Sequence, residues 1–269
     1  MIYKALTIAG SDSGGGAGIQ QDLKTFQALG VWGMTAVTAV TVQNTVGVSG
    51  FVELPPETVA EQIVAVASDI GVDAAKTGML ASTAIIEAVA RAVHNSEIDR
   101  LVVDPVFISK HGDPLLQEEA VDALRTSILP LALVVTPNAH EAAGLSGMTE
   151  VHTHAQQVEA GRQILALGAR AVLVKGGHVE GTDAVDVLVT PDEIREFGSP
   201  RLDTPNTHGT GCMLSAAIAA QLAKGLSLEA AVGDAKEFVT GAIEHSLAIG
   251  KGIGPVNPSW RLEAGNDPG

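Results

Sequence analysis

Apolar positions along the chain follow two rhythms. Short, nearly unbroken runs rich in Ala and β-branched residues lie at Lys4–Gly10, Gly33–Gln43, Ala74–Gly78, Leu101–Pro105, Leu133–Pro137 and Ala171–Gly176. Such runs suit parallel strands covered on both faces. Longer stretches of helical period separate them: Ala17–Leu29, Pro56–Ile70, Thr83–Asn95, Gln117–Ile128 and Ala155–Leu167. This repetition predicts right-handed βαβ units wound into one sheet. After Gly176 the rhythm changes. Ala184–Thr190 and Glu193–Gly198 flank Pro191-Asp192 and read as an antiparallel pair. Gly209 to Ala223 and Glu229 to Ile249 are Ala-rich and predict two helices covering the sheet. From Gly250 onward, five glycines and three prolines read as loop and a frayed terminus. No repeat or composition shift marks a second domain. One domain over 1–258 with a tail at 259–269 is expected.

Composition narrows the class. Of 269 residues 46% are hydrophobic and only 17% charged, enough aliphatic surface for a sizeable core. The 16 Lys+Arg against 31 Asp+Glu give a net charge of −15, which disfavours nucleic acid and anionic membranes as partners. One cysteine, Cys212, excludes an intrachain disulfide and fits a reducing compartment. No signal peptide and no membrane span are legible, so a cytoplasmic protein is expected.

Four sequence clusters are candidates for chemistry. The first strand–helix turn, Gly10-Ser11-Asp12-Ser13-Gly14-Gly15-Gly16-Ala17-Gly18, is glycine-rich enough for a ligand to approach the backbone. Its spacing fits neither a dinucleotide fingerprint nor a Walker A loop; a tight turn is the bland alternative, but five glycines in nine residues exceed what a turn requires. Next, Gly209-Thr210-Gly211-Cys212 opens a helix whose first N–H groups lack backbone partners, so it can hold charge developing on a phosphoryl group. Cys212 at that positive end is expected to have a lowered pKa; the alternative is a small core residue. Thirdly, Asn138 and Glu141 follow a strand end, where they can meet hydrated Mg²⁺ or phosphate, although their spacing also favours a capping box. Finally, Lys175 ends an apolar strand beside Gly176-Gly177, a place for a nucleotide phosphate or simply a lysine reaching water. Lys236 reads locally as part of a solvated helix face. Asp104-Pro105 is either a site residue or a strand stop. His152 and His154 lack further ligands at metal spacing and read as loop histidines.

Together these clusters make the chain resemble the hydroxymethylpyrimidine/phosphomethylpyrimidine kinases of thiamine biosynthesis, a ribokinase-like family. The resemblance runs from about Ala5 to Asn257. It rests on Ala9-Gly10-Ser11-Asp12 with Gly14 to Gly18, Ile19 to Phe26, Gln43-Asn44-Thr45, Lys76-Thr77-Gly78-Met79-Leu80 and Val103-Asp104-Pro105-Val106. It continues in Thr136-Pro137-Asn138 with Glu141, Lys175-Gly176-Gly177-His178 and His208-Gly209-Thr210-Gly211-Cys212. It implies an α/β fold, a three-layer α/β/α sandwich around a mostly parallel sheet. The implied activity is ATP-dependent phosphorylation of 4-amino-5-hydroxymethyl-2-methylpyrimidine, then of its monophosphate. Gly10, Ala17, Asp22, Val42, Gln43, Met79 and Val106 would form the pyrimidine pocket. Asn138, Lys175 and Lys236 would meet ATP, and Glu141 would meet Mg²⁺ through water. Gly209, Thr210, Gly211 and Cys212 would serve catalysis, with Cys212 as base or hydrogen-bond donor. A homodimer is implied; a monovalent-cation requirement stays open. Val106 to Asp113 departs from the family's usual run, and Phe107 and His111 there bear on specificity. Pro258-Ser259-Trp260 also departs. A pyridoxal kinase, or a silent pyrimidine-binding protein on the same scaffold, is the alternative.

Overall fold

The computed structural model describes residues 1–108, 112, 115, 119–177, 179 and 181–264. Its centre is an eight-stranded sheet built from β1 (Lys4–Ala9), β2 (Trp32–Val37), β5 (Ala74–Thr77), β6 (Leu101–Val103), β7 (Val134–Val135), β8 (Val172–Val174), β9 (Asp183–Val189) and β10 (Ile194–Pro200). The order is β10-β9-β8-β7-β6-β5-β1-β2. Strands β2, β1, β5, β6, β7 and β8 run parallel, while β9 and β10 are antiparallel to their neighbours. The wholly buried strands β5 to β8 match their unbroken apolar runs.

Helices cover both faces, giving the α/β sandwich. On one face lie α2 (Pro56–Asp69), α3 (Thr83–Asn95), α5 (Ala139–Ser146) and α6 (His154–Leu165), whose apolar stripes join Leu6, Ile8, Val103 and Val135 in one core. On the other lie α1 (Gly18–Ala28), α7 (Thr210–Ala223) and α8 (Leu228–Glu244), packed on Ala5, Val102, Val134 and Leu173. The expected Ala-rich helix pair is α7 and α8; α8 stops at Glu244, short of Ile249.

Several expectations need correction. The run Gly33–Gln43 is not one strand: β2 ends at Val37, and β3 (Ala39–Asn44) pairs with β4 (Gly47–Glu53) as a separate two-stranded ribbon. Strand β4 had no clear signal because none of its residues is buried, so no apolar alternation is imposed on it. The helix expected at Gln117–Ile128 is α4 (Ala120–Ala123) followed by a π turn, Leu124–Ile128, and a 3-10 turn, Leu129–Leu131; its first two residues lie outside the described set. Helix α5, at eight residues, was too short for a periodic signal. Residues 250–264 are not a frayed end: Val256 and Asn257 are buried, and α9 (Trp260–Ala264) anchors through a Trp260 Nε1 hydrogen bond to the Phe238 carbonyl at 3.1 Å. Residues 265–269 lie outside the described set.

Candidate active site

The strand order reverses beside β1, which pairs with β2 on one side and β5 on the other. A crevice at the carboxyl ends of strands near such a reversal is where open α/β sheets bind ligands. The polar side chains gather there. Lys76 is on β5, while Asp104, Thr136 and Lys175 follow the ends of β6, β7 and β8.

Lys175 is central. Its ammonium lies 3.0 Å from Asp104 Oδ1 and 3.9 Å from Glu141 Oε2. A side chain at Gly211 would come within 3.3 Å of Lys175 Nζ, so the first turn of α7 closes over this group. Burial works against the Lys175 charge, but Asp104 and Glu141 prevail and lift its pKa above the ordinary lysine value. Burial pushes Glu141 up to about 7, with Lys175 pulling the other way and Asp104 adding to the rise. Asp104 also accepts from Thr136 Oγ1 and Ser215 Oγ, each at 3.4 Å. Asn138 and Glu141 form the anticipated capping box: Asn138 Oδ1 accepts from the Glu141 amide at 2.9 Å, and Glu141 Oε2 accepts from the Asn138 amide at 2.8 Å. The cap thus fixes the carboxylate that faces Lys175.

The α7 turn begins at Gly209 in the left-handed region, φ +80°. Any side chain there would overlap the Gly16 carbonyl, so glycine is required on two counts. Thr210 Oγ1 and the Thr210 amide both donate to the Thr207 carbonyl, at 2.7 and 3.4 Å, fixing the start of the turn. Cys212 is partly exposed. Its expected acidity is reversed: burial, aided by Asp22 and Asp104, pushes the thiol up to about 11 despite Lys76 and the Gly18 amide.

Lys76 was not singled out as a site residue, yet it lies beneath this turn, fully buried and 3.1 Å from Asp22 Oδ2. Asp22 Oδ2 also accepts from Thr7 Oγ1 at 2.6 Å. Burial works against the Lys76 charge, but Asp22, Cys212 and Asp104 outweigh it and raise the pKa. A lysine within an otherwise apolar buried strand was the signal for it. Asp12 was likewise passed over. It accepts from the Gly14, Gly16 and Ala17 amides and from His208 Nε2, and these bonds hold its carboxyl below the usual range despite burial.

Gly10 and Met79 meet closely: a side chain at Gly10 would lie 3.1 Å from Met79 Sδ. Met79 packs with Ala39 and Ala81, making an apolar floor against Gly10. Gln43 is half-buried where β3 carries a bulge, its backbone bonded to Ser13 Oγ. Val42, expected in the pocket, is instead 65% exposed, because strand alternation turns Ala39 and Thr41 inward. Val106 follows Asp104 with its amide on the Asp104 carbonyl. Lys236 is not a solvated lysine: it donates to the Ala184 carbonyl and Asp186 Oδ2, both at 2.9 Å, and Asp186 in turn accepts from the Gly176 amide. Phe107 packs against Gly144 on α5. His111 and His178 lie outside the described residues. His154 is exposed and pairs with Glu196 at 2.8 Å; among the described residues no metal-binding cluster of three such side chains occurs.

Residues 12–257 match the family model described as phosphomethylpyrimidine kinase. The chain belongs to that family. It is 52% identical over 257 residues to the hydroxymethylpyrimidine/phosphomethylpyrimidine kinase of Streptomyces coelicolor, covering 96% of this chain and 94% of that one. Among solved structures, a Bacillus subtilis pyridoxal kinase in an ADP complex is 43% identical with a TM-score of 0.91, covering 97% of this chain and 99% of that one. A phosphomethylpyrimidine kinase from Clostridium difficile is 42% identical with a TM-score of 0.80, covering 90% and 99%. Phosphomethylpyrimidine kinases are phosphotransferases, and the gathering here is of Lys175, Asp104 and Glu141 beside the first turn of α7.

Proposed function

We propose that this chain transfers the γ-phosphoryl group of ATP to 4-amino-5-hydroxymethyl-2-methylpyrimidine, and then phosphorylates the monophosphate to the diphosphate, in thiamine biosynthesis. The observation that carries the reading is the convergence of Lys175, Asp104 and Glu141 on the α7 turn, beside the Gly10–Met79 floor. In this reading Gly10, Ala17, Met79 and Val106 enclose the ring, and the Gln43 amide pairs with the exocyclic amine and a ring nitrogen. Asp22 contributes through Lys76 and Thr7 from below. Lys175 meets the nucleotide phosphates, with Asn138 at their side and Lys236 set through Asp186. The hydroxymethyl oxygen bonds to the γ-phosphorus in line as the bond to the bridging oxygen breaks. Amides of Gly209–Cys212 take up the charge; Cys212, in its thiolate form, receives the alcohol proton, or as a thiol donates a hydrogen bond to the group in transfer.

Mg²⁺ suits the donor set only as a hydrated ion. Asp104 and Glu141 supply hard oxygens, and no triad among the described residues offers direct ligation. Glu141 would hold such an ion through water, and the ion would screen phosphoryl charge. Among the described residues no helix is long and apolar enough to cross a membrane; with ATP as co-substrate, we place the enzyme in the cytoplasm. The outer face of the ribbon exposes Val40 (52%) and its partner Val52 (69%), and we assign the homodimer to that face. Lysines at both positions should halve the mass seen by light scattering; an unchanged mass removes the assignment.

The likeness to a pyridoxal kinase supports a second reading, in which a pyridine alcohol is the substrate. A coupled assay with both alcohols, analysing products for mono- and diphosphate, decides between them. The pyrimidine should show the higher kcat/KM and yield both products. Binding of the pyrimidine with no turnover would favour a silent scaffold.

A further inference from the structure

Behind the phosphoryl-binding turn, four segments far apart in sequence close into a ring of hydrogen bonds. The ribbon is tied to the glycine loop: the Thr41 amide donates to Ser11 Oγ at 3.0 Å, Thr41 Oγ1 donates to the Ser11 carbonyl at 2.9 Å, and the Gln43 amide donates to Ser13 Oγ at 2.8 Å. The glycine loop is tied to the turn, because Asp12 Oδ2 takes His208 Nε2 at 2.8 Å immediately before Gly209. The His208 main chain is held by the C-terminal segment: its amide donates to the Gly254 carbonyl at 3.0 Å, and its carbonyl accepts from the Val256 amide at 3.1 Å. The same segment returns to the ribbon tip. The Ile253 amide donates to the Thr45 carbonyl at 2.9 Å, and the Lys251 and Gly252 amides both donate to Thr45 Oγ1 at 3.2 Å. Side chains at Gly250 or Gly252 would overlap Thr45, so the approach is built into the sequence.

We propose that this ring couples the alcohol pocket to the phosphoryl-binding turn. Thr45, the strap 250–256, His208 and Asp12 transmit the position of the ribbon to Gly209–Cys212. Each member of the ring is hydrogen-bonded to its two neighbours, so a shift of one strains the bonds to the others, and local opening measured at the far member reads whether that strain is passed on. Thr45 and His208 are thus positioning residues; neither touches the reacting atoms. Loading of the pocket beneath the ribbon sets the turn for transfer, and an empty pocket leaves it less well set. The catalytic consequence rests on the kinase reading above, whereas the linkage itself does not.

Thr45→Val is the variant of choice, since it keeps the shape and removes the side-chain oxygen at a surface turn. Amide hydrogen exchange reads the linkage without any substrate. The prediction is faster exchange at Lys251 and Gly252, and also at Gly16, Ala17 and Met213, which are bonded to Asp12 or Gly209. Faster exchange confined to the strap and ribbon would overturn the proposal. In turnover, Thr45→Val should lower kcat on the order of tenfold while the KM for nucleotide stays within about twofold. Thr45→Ser, which keeps the oxygen, should restore both the rate and the exchange pattern. His208→Gln, which keeps a donor toward Asp12, should lose less than His208→Ala. A Thr45→Val enzyme with wild-type kcat and wild-type exchange at the turn would defeat the coupling. A wild-type enzyme that shows the coupled exchange but phosphorylates neither alcohol would defeat only the kinase reading.

Discussion

Cys212 sits where opposing fields meet. The Gly18 amide and the Lys76 ammonium favour its thiolate; burial and the carboxylates of Asp22 and Asp104 favour the thiol and bring its pKa to about 11. At pH 7 a group of that pKa is ionised in only about one molecule in 10⁴. If the thiolate takes the alcohol proton, the active fraction grows tenfold per pH unit, so log kcat should climb with unit slope from pH 7 toward 10. Cys212→Ala should remove that slope and lower kcat roughly 10²-fold. A flat profile in the wild type, or near-normal turnover of Cys212→Ala with intact nucleotide affinity, would exclude the base role. A helix-start cysteine is normally read as acidic, and the local sequence here supports that reading. The opposite sign comes first from burial, with Asp22 and Asp104 adding to it, and only the fold brings either to the thiol. The capping box of Asn138 and Glu141, by contrast, is a local device and was legible from spacing alone.

Between elements, the pair Lys76–Asp22 fastens β5 to α1 through the core, with both side chains fully buried. Removing one partner strands the other charge without water, which typically costs about 3–5 kcal/mol. Lys76→Met should therefore lower Tm by ~10 °C in a thermal melt. The double variant Lys76→Met/Asp22→Leu should recover much of that loss and still turn over poorly, because it lacks the ammonium beneath Cys212. A single variant as stable as the wild type, or a double variant no more stable than the single, would count against this account. The same two elements show what sequence pattern conveys. The apolar runs and the helical periods of α1, α2, α3 and α6 marked the sandwich because burial on one or both faces imposes a period. The ribbon escaped because β4 has no buried residue, and nothing in its pattern distinguishes it from a loop. The strap escaped for a different reason. Its glycines serve close approach to Thr45, and glycines that fit against a distant backbone look the same in sequence as glycines in a loose end.

Across the whole molecule, the charge of −15 bears on how an anionic nucleotide arrives. Each of the three lysines at the site has a carboxylate at hand: Lys175 has Asp104, Lys236 has Asp186 and Lys76 has Asp22. The site therefore supplies donors without a net positive field, and the surrounding protein repels the nucleotide. Salt screens that repulsion over a Debye length of about 30 Å at 0.01 M but only about 8 Å at 0.15 M. Close contacts to the phosphates, made inside the crevice, are screened far less. Raising ionic strength with an inert salt at fixed Mg²⁺ should therefore lower the KM for nucleotide or leave it unchanged, with kcat constant. A protein that captures phosphates by an open cationic surface behaves in the opposite way, losing affinity steeply as salt rises. A KM that climbs severalfold between those two salt concentrations would mean that Lys175 and Lys236 act as unpaired charges toward the incoming nucleotide. That result would require their ion pairs with Asp104 and Asp186 to open before binding.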